Sequence, residues 1–122
     1  MGSNKKELGD LGEDIAARYL RDKGYRILGS KFRCPLGEID LIAKTGKVLV
    51  FIEVRTRKSG YIDPEDTVTL KKQKKLSTLA KYYMERFNIE ADVRFDVVGI
   101  SFEKNDCKIE HLESAFEAPE DY

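Results

Sequence analysis

Three carboxylates and one guanidinium sit in two short strings, Gly37-Glu38-Ile39-Asp40 and Ile52-Glu53-Val54-Arg55, where the surrounding pattern asks for β-strand. Between them Lys44-Thr45-Gly46-Lys47 supplies turn residues, flanked by the apolar runs 39–43 and 48–52, and this reads as a β-hairpin. A loop of two or four residues is expected to set Glu38 opposite Glu53 and Asp40 opposite Phe51. Side chains alternate along a strand, so Glu38, Asp40, Glu53 and Arg55 then converge on one face; a three-residue loop scatters them. Like charges facing each other on a sheet cost up to about 1 kcal/mol per pair, and half-buried carboxylates cost more unless a cation compensates. A hard divalent ion such as Mg²⁺ takes one or two carboxylates together with substrate phosphate oxygens. The plainer alternative is a solvated charged face capped by an Arg–Glu pair. Against it stands the unbroken apolar run 48–52, expected of a strand covered on both faces.

The elements that must hold these groups follow from periodicity. Leu8, Leu11, Ile15, Ala16, Tyr19 and Leu20 recur at helical spacing and Gly24 follows as a C-terminal cap, so a first helix is expected over 6–23, with Glu13 on the rim of its apolar stripe. Strands are expected over 25–32, 38–43 and 47–54, then a loop over 58–66. A second helix, 67–87, has Val68, Leu76, Leu79, Ala80 and Tyr83 as its apolar face, and Lys72 projects from the middle of that face. Such a lysine snorkels or points its ammonium at acids or a phosphate beneath the helix. A strand over 93–102 carries Asp96, read as a structural acid; a shorter edge strand, 106–112, carries His111, with no sign of a catalytic dyad. The tail 117–122 is expected to be disordered.

At 122 residues the chain is expected to be a single domain. It has no apolar stretch long enough to span a membrane and no apolar leader after Met1, so a cytoplasmic protein without a membrane partner is expected. Cys34 and Cys107, far apart and outside any CxxC pattern, read as reduced thiols. The 22 basic and 22 acidic side chains cancel, which argues against a general nucleic-acid binder. Yet Lys71, Lys72, Lys74, Lys75 and Lys81 lie in a stretch without acids, while acids dominate from Glu103 onward, so one face can still meet a polyanion.

Glu13, Gly37-Glu38-Ile39-Asp40, Phe51-Ile52-Glu53-Val54-Arg55-Thr56-Arg57, Val68 through Lys72-Gln73 and Arg94-Phe95-Asp96-Val97-Val98, in that order, resemble the YraN-like family of predicted endonucleases. The motifs cover about Leu8 to Ile100. The family looks like a branch of the PD-(D/E)XK nuclease superfamily, related to Holliday-junction resolvases. The resemblance implies an α/β fold, a mixed central sheet of about five strands flanked by helices with a restriction-endonuclease-like core. It implies catalytic positions at Glu13, Asp40, Glu53 and Arg55, supported by Lys72 and Gln73, with Asp40, Glu53 and Glu13 holding Mg²⁺ or Mn²⁺. The activity implied is metal-assisted hydrolysis of DNA phosphodiester bonds, with branched or structured DNA as substrate. Arg57, Lys58, Lys71, Gln73, Lys74 and Lys75 would grip flanking phosphates, and Glu38 would support the ligands. Enzymes that cut branched DNA work as two-fold dimers, so a homodimer fits the resemblance.

One position departs from the superfamily signature, Arg55 standing where that signature has lysine. Arginine stays protonated and can neutralise charge on phosphorus, but it cannot deprotonate water; Lys72 is placed to share the cationic role. Two other classes therefore stay open: a nucleic-acid-binding protein with a vestigial site, and a protein-interaction module.

Overall fold

The computed structural model describes residues 5–57 and 68–119. Helix α1 (Lys5–Asp22) leads into strands β1 (Arg26–Cys34), β2 (Gly37–Thr45) and β3 (Val48–Arg57). Helix α2 (Leu70–Arg86) and strands β4 (Asp92–Glu103) and β5 (Asp106–Phe116) follow. The strands make one mixed sheet in the order β1-β2-β3-β4-β5, antiparallel except for the parallel pair β3/β4. Parallel neighbours need a crossover connection, and α2 lies in it. The fold is α/β, two helices against a five-stranded mixed sheet, consistent with a restriction-endonuclease-like core.

Strand β3 explains its own apolar run. Val50 and Ile52 pack with Ala16, Leu20 and Leu41 on the α1 side, whereas Leu49 and Phe51 pack with Leu76, Leu79 and Ala80 on the α2 side. A strand covered on both faces has no use for alternation. The α1 stripe holds from Ile15 to Leu20, but Leu11 is 50% exposed. The helix meets the sheet at Gly12 instead, where an added Cβ would sit 1.9 Å from Thr56 Cγ2.

The β2–β3 hairpin turns through Gly46-Lys47, with Gly46 at φ 58, and its register pairs Thr45 with Val48 and Ile42 with Phe51. The expected pairing of Asp40 with Phe51 is thus corrected by two residues. A two-residue slip keeps every side chain on its face, and the same register carried on sets Asp40 level with Glu53.

Helix α2 begins at Leu70 rather than 67 because Thr69 is its N-cap, its side chain accepting from Lys72 N at 3.2 Å. Strand β5 runs to Phe116, well beyond the expected 112. Its pairing jumps from Val97↔Leu112 to Phe95↔Phe116, with Ser114 at φ 53, so a bulge breaks the alternation where the sequence signal fades. The expected loop 58–66, with Lys58 in it, and residue 67 lie outside the described residues; so do 120–122 of the tail, while 117–119 carry no helix or strand. Among the described residues no helix is long and apolar enough to cross a membrane, and Cys34 and Cys107 are free thiols.

Candidate metal centre

The site is built on a kink. Pairing of β2 with β3 ends at Leu41↔Ile52, while the β1–β2 ladder passes from Ser30↔Leu41 to Phe32↔Ile39. Leu41 packs on the α1 side and Ile39 on the α2 side, so residues two apart face opposite ways and the alternation inverts at Asp40. Lys31, level with Asp40 in this register, has a φ of 51, a left-handed conformation that costs an L residue about 1–2 kcal/mol. Released from the ladder, Asp40 Oδ2 accepts from Val54 N at 2.8 Å. At the start of β2, Gly37 has φ 144, and a Cβ there would meet Lys75 Cε at 2.9 Å. Glycine both takes that backbone and lets Lys75 close over it.

Glu38, Asp40, Glu53, Arg55, Lys72 and Lys75 line one cleft of about 360 Å³, together with Leu76 and Leu79. Glu53 is only 5% exposed, and its Oε2 receives Arg55 Nη2 at 2.8 Å and Lys72 Nζ at 3.2 Å. Lys72, which projects from the apolar face of α2, therefore points into the acids. Burial pushes the Asp40 carboxyl up to about 7, helped by the negative charge of Glu53 and opposed by the Val54 hydrogen bond. From the other side of the sheet α1 brings Glu13, and one oxygen from each of Glu13, Glu38 and Asp40 lies within 4.8 Å of the others. Oxygens around Mg²⁺ sit at about 2.1 Å, so neighbouring donors lie about 3.0 Å apart and opposite ones about 4.2 Å, and the three carboxylates would have to draw together to share one ion. This acidic cluster could bind a metal. The expected trio was Glu13, Asp40 and Glu53. The structure groups Glu38 with Glu13 and Asp40 and gives Glu53 two cations, so Glu38 is closer to the centre than its expected supporting place.

Two side chains that the sequence reading missed attach to the same cluster. Lys31 Nζ lies 3.0 Å from Glu13 Oε1 and 3.0 Å from Asp10 Oδ1, and Arg33 Nε lies 2.6 Å from Glu38 Oε2. Strand alternation alone gives no reason for Lys31 to face α1, since only its positive φ turns it there. Among the residues expected to grip phosphate, Lys71, Lys74, Lys75 and Arg57 are exposed. Gln73 turns away from the cleft, its Nε2 donating to Val68 O at 3.3 Å.

A second polar cluster sits in β4 and β5. Asp96, 1% exposed, accepts from Arg94 Nε and Nη2 at 2.9 and 2.8 Å and from Ser114 N at 3.0 Å, and it lies 2.8 Å from His111 Nε2. Sequence proximity gives His111 no partner, and the structure pairs it with Asp96 across the β5 bulge. The His111 side chain is only 2% exposed, with Lys23 Nζ 2.9 Å from Nδ1 and Tyr19 and Tyr25 packed edge-on against the ring. Burial pushes the Asp96 carboxyl up, but its hydrogen bonds to His111, Arg94 and Ser114 outweigh burial and hold it below the usual range. A larger, mostly apolar groove of about 750 Å³ between the end of α2 and β4–β5 shares no lining residue with the acidic cleft.

The fold and site define a small α/β protein with a carboxylate and cation cleft at the kinked side of a mixed sheet. The model of the uncharacterised protein family UPF0102 matches residues 12–100, a span that holds Glu13 and every described cleft residue. The chain belongs to this YraN-like family. It is 51% identical to a UPF0102 protein of Thermodesulfovibrio yellowstonii, over 90% of this chain and 96% of that one. It is 43% identical to one of Geobacter metallireducens, over 96% and 98%. Among solved structures, Pyrococcus furiosus SfsA in complex with Ca²⁺ aligns at a TM-score of 0.37 and 14% identity, covering 90% of this chain and 64% of that chain.

Proposed function

We propose that this protein is a metal-dependent endonuclease that hydrolyses DNA phosphodiester bonds, with branched or structured DNA as its substrate. One observation carries the reading: carboxylates from α1, β2 and β3 meet at a strand kink beside two cations from β3 and α2. Asp40, Glu13, Glu38 and Glu53 are the residues that would hold Mg²⁺ or Mn²⁺. A bound ion of this kind lowers the pKa of its water and polarises a phosphoryl oxygen. Arg55 and Lys72 supply fixed positive charge where the phosphorane develops; Arg55 cannot act as a base. The exposed Lys71, Lys74 and Lys75 on α2, with Arg57 at the end of β3, contact flanking phosphates without reading bases. Binding should therefore weaken steeply with salt.

The test is Mn²⁺ calorimetry on wild type and Asp40→Ala, joined to cleavage of branched, flapped and single-stranded DNA by wild type, Glu53→Ala and Arg55→Lys. Asp40-dependent binding and Glu53-dependent cleavage are expected. Metal binding that ignores Asp40, or none at all, removes the nuclease reading. A second reading, a DNA-binding protein that does not cut, is favoured by the two cations already seated on Glu53. Cleavage gained only in Arg55→Lys would establish it.

A further inference from the structure

Lys31 occupies an unusual place. It is a lysine inside a strand with φ 51, and that twist sends both Ser30 and Lys31 into the same recess on the α1 side, about 280 Å³ and lined also by Glu13, Arg18 and Arg21. Its ammonium lies 3.0 Å from Glu13 Oε1. That oxygen is sealed from solvent and is ion-paired with the ammonium. The same ammonium holds Asp10, whose side chain is 40% exposed and lies outside the three-carboxylate group.

We infer that Lys31 is a tethered counter-ion that occupies Glu13 in the metal-free protein and competes with a divalent ion for it. This rests on the reading of the cleft as a metal centre. A divalent ion bound by Glu13 and Asp40 would stand within a few ångströms of the ammonium, and two cations that close repel strongly in a half-buried setting. Lysine suits the part: four flexible carbons let the head leave Glu13 while Asp10, on the solvent side, keeps hold of it. The left-handed φ marks a position where local strain is retained at a site. Lys31 thereby sets how much metal the cluster needs before it fills, and it holds Glu13 in place until then.

The experiment is Mn²⁺ calorimetry on the full chain, comparing wild type with Lys31→Met and Lys31→Gly. Glycine adopts φ 51 without strain, so the second variant keeps the fold if methionine does not. Removal of the competitor is expected to tighten Mn²⁺ binding about twofold to fivefold in both, the scale of one partly exposed ion pair, and Lys31→Arg should restore weaker binding. Equal or weaker binding in the Met and Gly variants, with wild-type binding still lost in Asp40→Ala, overturns the competition and leaves the metal centre standing. Absence of Asp40-dependent binding in every variant overturns both.

Discussion

A half-buried and a buried aspartate on one sheet end in opposite electrostatic states. Asp96 has the fuller set of donors: two from Arg94, one from Ser114 and one from His111, and its carboxyl is held below the usual range. Asp40 accepts from Val54 N with the Glu53 carboxylate beside it, and burial pushes it up to about 7. The first is a closed network that uses its charge to tie β4 to β5 and, through Tyr25 and Lys23, to the end of α1. The second keeps acceptor capacity facing a cleft. Satisfied charge is a fastener; underused charge, kept at an energetic cost by the fold around it, is where a ligand can be recognised.

Removing each aspartate should separate the two most sharply. Asp96→Ala leaves the half-buried Arg94 guanidinium without its bidentate partner and is expected to cost about 3–5 kcal/mol in urea unfolding. A loss below about 1 kcal/mol would end the claim that this cluster holds the sheet together. Asp40→Asn should move the other way. The folded pKa of about 7 lies above the ordinary carboxyl value of 3.8, so between those values the native state keeps a proton that the unfolded chain has released. Stability contributed at low pH is then lost as pH rises through that window, and the penalty stays above it. Asparagine, which can still accept from Val54 N, removes the penalty. Its gain should be larger near about pH 8 than near about pH 5, by roughly 2 kcal/mol. A gain that is flat across this range, or larger in acid, contradicts the assignment of a destabilised Asp40.

The sequence carried the Asp40 region far better than the Asp96 region, for a physical reason. A β-hairpin is local, so its turn residues bring Glu38, Asp40, Glu53 and Arg55 near one cleft even though the register differs by two and the alternation inverts at Asp40. Lys72 was legible because a lysine on an apolar helix face needs a partner. Lys31 was not, since its direction comes from a positive φ at the kink that composition does not announce. The Asp96–His111 pair closes across a bulge at Ser114, where periodicity fails and β5 was read as ending early. Leu11 misled because the helix approaches the sheet through a glycine, and the apolar stripe shows only the side chains that exist.

Gly12 makes that last point testable and returns to the metal centre. It precedes Glu13, and its Cα faces Thr56 so closely that an added methyl would stand 1.9 Å from Thr56 Cγ2 and 3.3 Å from Thr56 Cβ. Thr56 lies two residues beyond Val54, whose N–H Asp40 accepts, and pairs with Ile100 in the core of the sheet. A methyl at position 12 must therefore lift α1 from β3, because Thr56 is held in the sheet by its pairing with Ile100. Gly12→Ala should cost about 1–2 kcal/mol, the scale of overpacking, slightly offset by the better helix propensity of alanine. The larger signal is geometric. Glu13 travels with the helix, so Mn²⁺ affinity should fall while the Asp96 network, attached at the far end of α1, keeps its stability contribution. Adding Thr56→Ser deletes the methyl in the way and should recover both stability and affinity. If Gly12→Ala loses stability but keeps its Mn²⁺ affinity, Glu13 does not belong to the metal-binding group, and the contrast between the two aspartates rests on β2 and β3 alone.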